Sequence, residues 1–156
     1  NSKNYMVEVG GELRVKGVNP EGEMWKVGVD KPLENSDETN RQLESVLTIT
    51  EKALATSGSY RKFVEINGIK YSHTINPITG YPTHHNLLSV TILAPTATMA
   101  DAWATAIMIM GLEKGRQYIS ENKLSAYLIF SDDSGNLNTW MTKDLEDKIK
   151  NIEADE

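Results

Sequence analysis

The hydrophobic and polar positions fall mostly in short alternating runs. Tyr5-Met6-Val7-Glu8-Val9 alternates in part, Gly10-Gly11 punctuates it, and Leu13 to Val18 alternates cleanly, which predicts a hairpin with a glycine bend. Asn19-Pro20-Glu21-Gly22 reads as a turn, Met24 to Val29 as a third strand, and residues 30–41, with no periodicity, as a surface loop. Strands are expected at Ser45 to Thr50 and Lys52 to Ala55, followed by a small-residue break at Thr56-Ser57-Gly58-Ser59-Tyr60. Lys62 to Ile66 and Ile69 to Tyr71 predict a hairpin closed by Asn67-Gly68.

The second half changes period. Leu87 to Leu93 is a mostly apolar strand, and Thr98 to Gly111 carries apolar residues on nearly every face, which predicts a buried helix with Gly111 as its C-cap. Glu113 to Asn122 reads as a second helix, Leu124 to Ser131 and Asn136 to Thr142 as paired strands, and Asp144 to Ile152 as a terminal helix. Runs of strands with a helix pair inserted late point to a single α+β domain over residues 1–156 with a largely antiparallel sheet. No internal repeat or low-complexity segment interrupts it.

Composition narrows the class. Hydrophobic residues make up 39% and charged ones 24% of the 156, ordinary for a folded globular domain. Lys and Arg number 16 against 22 Asp and Glu, a net charge of −6 that argues against nucleic acid or an anionic lipid surface as partner. With no cysteine, disulfides and thiolate metal sites are excluded. No run approaches 18 apolar residues, so no direct membrane insertion by this chain is expected. The opening at Asn1, with no leader before the first alternation, reads as a processed or excised sequence.

Two stretches carry candidate chemistry. His73-Thr-Ile-Asn-Pro-Ile-Thr-Gly-Tyr-Pro82 is a turn around a histidine and a carboxamide; Pro77 pushes Asn76 away from helical geometry and Gly80 can take positive φ. Such a turn fixes backbone amides for a ligand, or is a plain surface turn. His73, at a strand end, suits proton transfer or phosphate orientation, or is an ordinary hydrogen-bonded residue. A three-histidine metal site with His84 and His85 is the weaker reading, because adjacent histidines on a loop point apart. Asp101 and Thr105, four apart on a helix, share a face and offer the oxygens that Mg²⁺ accepts. Against that, Thr98 and Asp101 have capping-box spacing, Asp in a first turn suits the helix dipole, and Thr105 can bond back to the preceding turn. Thr56-Ser57-Gly58-Ser59 reads as a phosphate nest or a flexible connection. Trp25, Trp103 and Trp140 read as core or boundary aromatics.

Taken in order, Gly10-Gly11-Glu12 after an opening strand, Thr56-Ser57-Gly58-Ser59-Tyr60, His73 to Gly80, and Ala100-Asp101-Ala-Trp-Ala-Thr105-Ala106 resemble the FAD:protein FMN transferases, the ApbE family. The resemblance runs over essentially the whole chain and implies a T-fold-like half. It covers only the C-terminal half of such proteins. The missing N-terminal half of the same enzyme would carry a flavin-stacking aromatic and an Ala-Lys-Gly segment.

The resemblance implies Mg²⁺-dependent cleavage of FAD at its pyrophosphate, esterification of FMN to a Thr or Ser hydroxyl of a target protein, and release of AMP. Asp101 and Thr105 match the family's magnesium ligands and His73 its catalytic-site histidine. Ile75 falls where the family's loop contacts FAD, and with Asn76, Thr79 and Gly80 it forms the expected flavin-nucleotide contact. Asn76 and Ser59 stand where many members have Asp, and Ser72 where some have a second His. Other readings of the same residues are an Mg²⁺-dependent FAD pyrophosphatase, with water as acceptor, and a non-catalytic flavin- or nucleotide-binding module. The family is commonly exported and lipid-anchored at the cell envelope.

Overall fold

The computed structural model describes residues 2–33, 40–60, 63–66 and 69–152. The first hairpin pairs β1 (Tyr5–Val9) with β2 (Glu12–Lys16), Val9 opposite Glu12. Only two residues connect them, Gly10 at φ 66 and Gly11 at φ 103. Positive φ at both positions is what a type I′ turn needs to follow the twist of its strands, and glycine adopts it without a Cβ penalty.

Next come β3 (Trp25–Asp30), β4 (Leu43–Ile49) and β5 (Ala53–Gly58), then the hairpin β6 (Phe63–Ile66) and β7 (Ile69–Ser72). The expected Asn67-Gly68 turn and positions 34–39 of the expected loop lie outside the described residues. The chain continues through β8 (Leu87–Ala94), α1 (Ala97–Met110), α2 (Leu112–Glu121), β9 (Ser125–Ser131), β10 (Leu137–Met141), a 3₁₀ turn at Lys143–Leu145 and β11 (Ile149–Asn151). Ladders run antiparallel in a six-stranded sheet, β1-β2-β5-β8-β9-β10, and a three-stranded sheet, β11-β4-β3. The α+β expectation with antiparallel sheets and two helices therefore holds.

The large sheet is covered on both faces, and strand alternation divides its side chains between two cores. Ala126 and Leu128 of β9 join Ile92 of β8 and Ala104, Ile107 and Met108 of α1 on the helical side. Tyr127 and Ile129 face the opposite way, with Leu13, Val15, Leu47 and Ile49, against the small sheet. Because β8 is packed on both sides, it reads as a nearly continuous apolar run. The tryptophans sit at boundaries as expected. Trp103 packs on Tyr118 with centroids 5.4 Å apart, Trp140 lies under the Arg116 guanidinium, and the Trp25 indole N–H donates to the Lys16 carbonyl.

Three local expectations are corrected. Thr56-Ser57-Gly58 is not a break or a nest; it is the end of β5, held in register opposite Ser89 to Thr91 of β8, with the Thr56 and Thr91 hydroxyls 2.9 Å apart. The terminal helix expected at Asp144 to Ile152 is absent. That stretch forms the short 3₁₀ turn and then β11, whose Ile149 pairs with Leu47, because a short polar helix is marginal in water while the edge of β4 offers a ready ladder. Finally, α1 is not buried all round: Ala100, Ala104, Ile107 and Met108 face the core while Asp101 and Thr105 stay exposed.

Candidate functional site

Helix α1 begins earlier than its sequence suggests, and this decides how Asp101 is read. Thr96, extended at φ −133 and ψ 153, is the N-cap, its side chain accepting from the Met99 N–H at 3.3 Å. Thr98 and Asp101 are therefore not a capping box, and the first turn holds no acid. Asp101 lies beyond the reach of the cap. Among the described residues neither the Asp101 carboxylate nor the Thr105 hydroxyl has a hydrogen-bond or ion-pair partner. The structural jobs that the spacing allowed them, capping and back-bonding, are both unfilled.

At the other end of α1, Gly111 takes φ 78 and its N–H bonds the Ile107 carbonyl, as expected of a C-cap. His85 Nε2 lies 2.6 Å from the Met108 carbonyl oxygen, which makes it the protonated, donating nitrogen. This histidine is committed to the helix end, and among the described residues no group of three His, Asp or Glu side chains gathers at ion-binding distance. A trio of His73, His84 and His85 is not formed.

The turn after His73 is tightly specified. Asn76 Oδ1 accepts from the Ile78 N–H at 2.9 Å, the Gly80 N–H reaches the Asn76 carbonyl at 2.8 Å, and Gly80 takes φ 74. The Thr79 hydroxyl accepts from the Tyr81 N–H, and Ile75 pairs with Pro82 across an isolated bridge. Asn76 and Thr79 thus spend their side chains on the turn itself. Ile75 stays half exposed, and Ile78 and Tyr81 are 92% and 73% exposed.

A cleft of about 1030 Å³ opens beside this turn, lined by stretches far apart in sequence. Gly10, Gly11 and Glu12 come from the first hairpin, Thr56, Ser57, Gly58 and Tyr60 from β5 and its exit, His73 from the end of β7, and Asp101 and Thr105 from α1. Ile75, Asn76, Thr79 and Gly80 do not line it; they form the turn just beyond His73. The Asp101 and Thr105 oxygens, one helical turn apart and otherwise unengaged, suit a hard cation. Two such oxygens match the hard-donor chemistry that a divalent cation such as Mg²⁺ accepts, with its other positions open to water or phosphate oxygens.

Sequence reasoning missed the far wall. Lys26, Asp30 and Arg41 line the cleft as well, the last two joined by an ion pair of 2.6 Å between Arg41 Nε and Asp30 Oδ1. Asp30 ends β3 and Arg41 closes a loop that shows no periodicity, so nothing local marks them. A charged residue at each end of that loop was the only available signal.

Residues 1–128 match the family model described as the ApbE family. FAD:protein FMN transferases of Haemophilus influenzae and Escherichia coli are each 42% identical to the chain over 135 and 138 residues, which are 86% and 88% of this chain. Each alignment takes up 38% of the relative, so the chain spans well under half the length of these curated relatives. Among solved structures, the flavin transferase ApbE from Vibrio cholerae superposes at a TM-score of 0.78 with 34% identity, covering 94% of this chain and 44% of that one. The flavinyl transferase ApbE of Pseudomonas stutzeri gives 0.76 and 30%, covering 94% and 43%. The family match over residues 1–128, relatives 42% identical over most of the chain and a shared fold make this chain a member of the ApbE family.

Proposed function

We propose that the chain is the part of an FAD:protein FMN transferase that holds the FAD pyrophosphate and the acceptor hydroxyl. The observation that carries this is the convergence of His73, Asp101 and Thr105 on the cleft that the glycine hairpin and β5 complete. In this reading the acceptor Thr or Ser oxygen attacks the phosphorus on the FMN side of the pyrophosphate. A phosphorus–oxygen bond forms to the acceptor, the bridging bond breaks, and AMP leaves with the bridging oxygen. The hydroxyl proton passes to the His73 imidazole, exposed at the end of β7. Asp101 and Thr105 would hold Mg²⁺, which supplies charge neutralisation at the pyrophosphate. The turn from Ile75 to Gly80, fixed by its own hydrogen bonds, borders the flavin end and costs little ordering when the nucleotide binds.

The test mixes the chain, in a full-length context, with FAD, Mg²⁺ and candidate acceptor proteins, and follows covalent flavin by in-gel fluorescence and mass spectrometry. A flavinylated polypeptide with one AMP released per flavin is the expected result. Free FMN without a covalent product would make the chain a pyrophosphatase, and no FAD binding would leave a non-catalytic module.

A further inference from the structure

Strand β5 sits inside the large sheet, yet half of it has a neighbour on one side only. Against β8 it pairs along its whole length, from Ala53 opposite Ala94 to Gly58 opposite Ser89. Against β2 it pairs only at Ala53 and Leu54, opposite Arg14 and Leu13, with Val15 N–H reaching the Lys52 carbonyl just before. A ladder of unchanged register would next set Gly11 opposite Thr56 and a further residue opposite Gly58, but β2 begins only at Glu12, and at Gly10-Gly11 the chain turns away into β1.

The direction of the exposed groups follows from alternation. The Ser59 N–H donates to Leu88, on the β8 side, so the backbone groups of Ser57 also point there, while those of Thr56 and Gly58 point the other way, as Leu54 does toward β2. Among the described residues no donor or acceptor meets the N–H and C=O of Thr56 or Gly58 on that side. Both residues line the cleft that holds His73, Asp101 and Thr105. Two donor–acceptor pairs, two residues apart on an unpaired edge, are the pattern that another extended backbone complements.

We propose that the open edge of β5 at Thr56 and Gly58 docks an extended segment of the acceptor polypeptide, which adds a strand in line with β2 and carries its hydroxyl to the reacting phosphate. This rests on the transfer reading above. Recognition through backbone groups selects an extended segment whatever its side chains, and the cleft walls then select around the reactive Thr or Ser.

Amide hydrogen exchange, resolved by residue, tests it. The probe is the polypeptide flavinylated in the assay above, with its acceptor residue changed to Ala. Ser57, tied to β8, serves as a reference protected throughout. Thr56 and Gly58 should exchange fast in the free protein and with FAD alone, and slow when the probe is added. Thr56→Pro deletes the cleft-facing N–H while leaving the β8 ladder whole, and should raise the acceptor KM about tenfold, the scale of one lost hydrogen bond, with little change in the KM for FAD. Thr56→Val, which loses the same hydroxyl but keeps the amide, should shift the acceptor KM less. Protection by FAD alone would assign the edge to the nucleotide, and protection before any ligand would assign it to the protein's own chain; either overturns the proposal. Intact transfer with unprotected Thr56 and Gly58 overturns it while leaving the transferase reading in place, whereas absence of any covalent product brings down both.

Discussion

The exposed residues Asp101 and Thr105 are defined as much by what they do not do as by where they lie. A carboxylate in the second turn of a helix, without cap, ion pair or hydrogen bond among the described residues, contributes little to stability, so removing it should cost little. In the full-length protein, Asp101→Ala is expected to change Tm by no more than a degree or two, yet to lower Mg²⁺-dependent FAD turnover by about a hundredfold or more. Steady-state kinetics with a Mg²⁺ titration, alongside a thermal melt, separates the two effects, and full turnover in a folded variant would refute the metal assignment. Asp144 is the opposite kind of acid. Burial would raise its pKa, but hydrogen bonds from Ser125, at 2.6 Å, and from Thr142, with Lys148 nearby, outweigh that and hold the carboxyl below its ordinary range. A depressed folded pKa gives stability that is present above the unfolded value of about 3.9 and lost as pH falls through the folded one. Ser125→Ala should therefore lower stability at neutral pH and flatten the acid side of the stability profile below about pH 4, readable by urea unfolding at a series of pH values.

Elements differ in how much of themselves they declare. The first hairpin is legible because two adjacent glycines between alternating runs have few uses other than a type I′ turn. The C-cap of α1 is legible for the same reason, since Gly111 ends an apolar run. Its N-terminus is not, because Thr96 and Thr98 are both acceptable caps and Pro95 precedes only one of them. The cap assignment yields a direct contrast: Thr96→Ala should cost about 1 kcal/mol in denaturant unfolding, and Thr98→Ala under about 0.5 kcal/mol. Reversal of that order would show the helix to start two residues later. The end of β5 and all of β11 are illegible for a common reason. Each holds a single strand-favouring residue, Thr56 or Ile149, among residues that strands disfavour, and each becomes a strand because a partner, β8 or β4, presents a ladder to it.

At the scale of the whole molecule, the two cores do separate jobs. The helical core fixes α1, and thereby Asp101 and Thr105, against β5 and β8; the second core binds the small sheet that supplies the far wall of the cleft. Leu47, fully buried between the sheets and opposite Ile149 of β11, ties that second layer down. Leu47→Ala should destabilise by about 2–5 kcal/mol. It should also loosen the wall bearing Lys26, Asp30 and Arg41 before it disturbs α1, which site-resolved amide exchange would show as early exposure of β3 and β4. Uniform loss of protection across both layers would mean a single cooperative unit.

By itself the sequence determined the kinds of element, most of their order, the two glycine-dependent turns and the four motifs that mark the family, since each rests on interactions within a few residues. It named His73, Asp101 and Thr105 as candidates, but beside the metal reading it left Asp101 as part of a capping box and Thr105 as bonded back to the preceding turn. Only the tertiary structure decided that residues from the first hairpin, β3, β5, the turn after β7 and α1 line one cleft, and that among the described residues β5 keeps an open edge there. Those outcomes depend on which strands pair and how far each ladder runs, and hydrogen bonds between segments tens of residues apart leave no local signature in either partner.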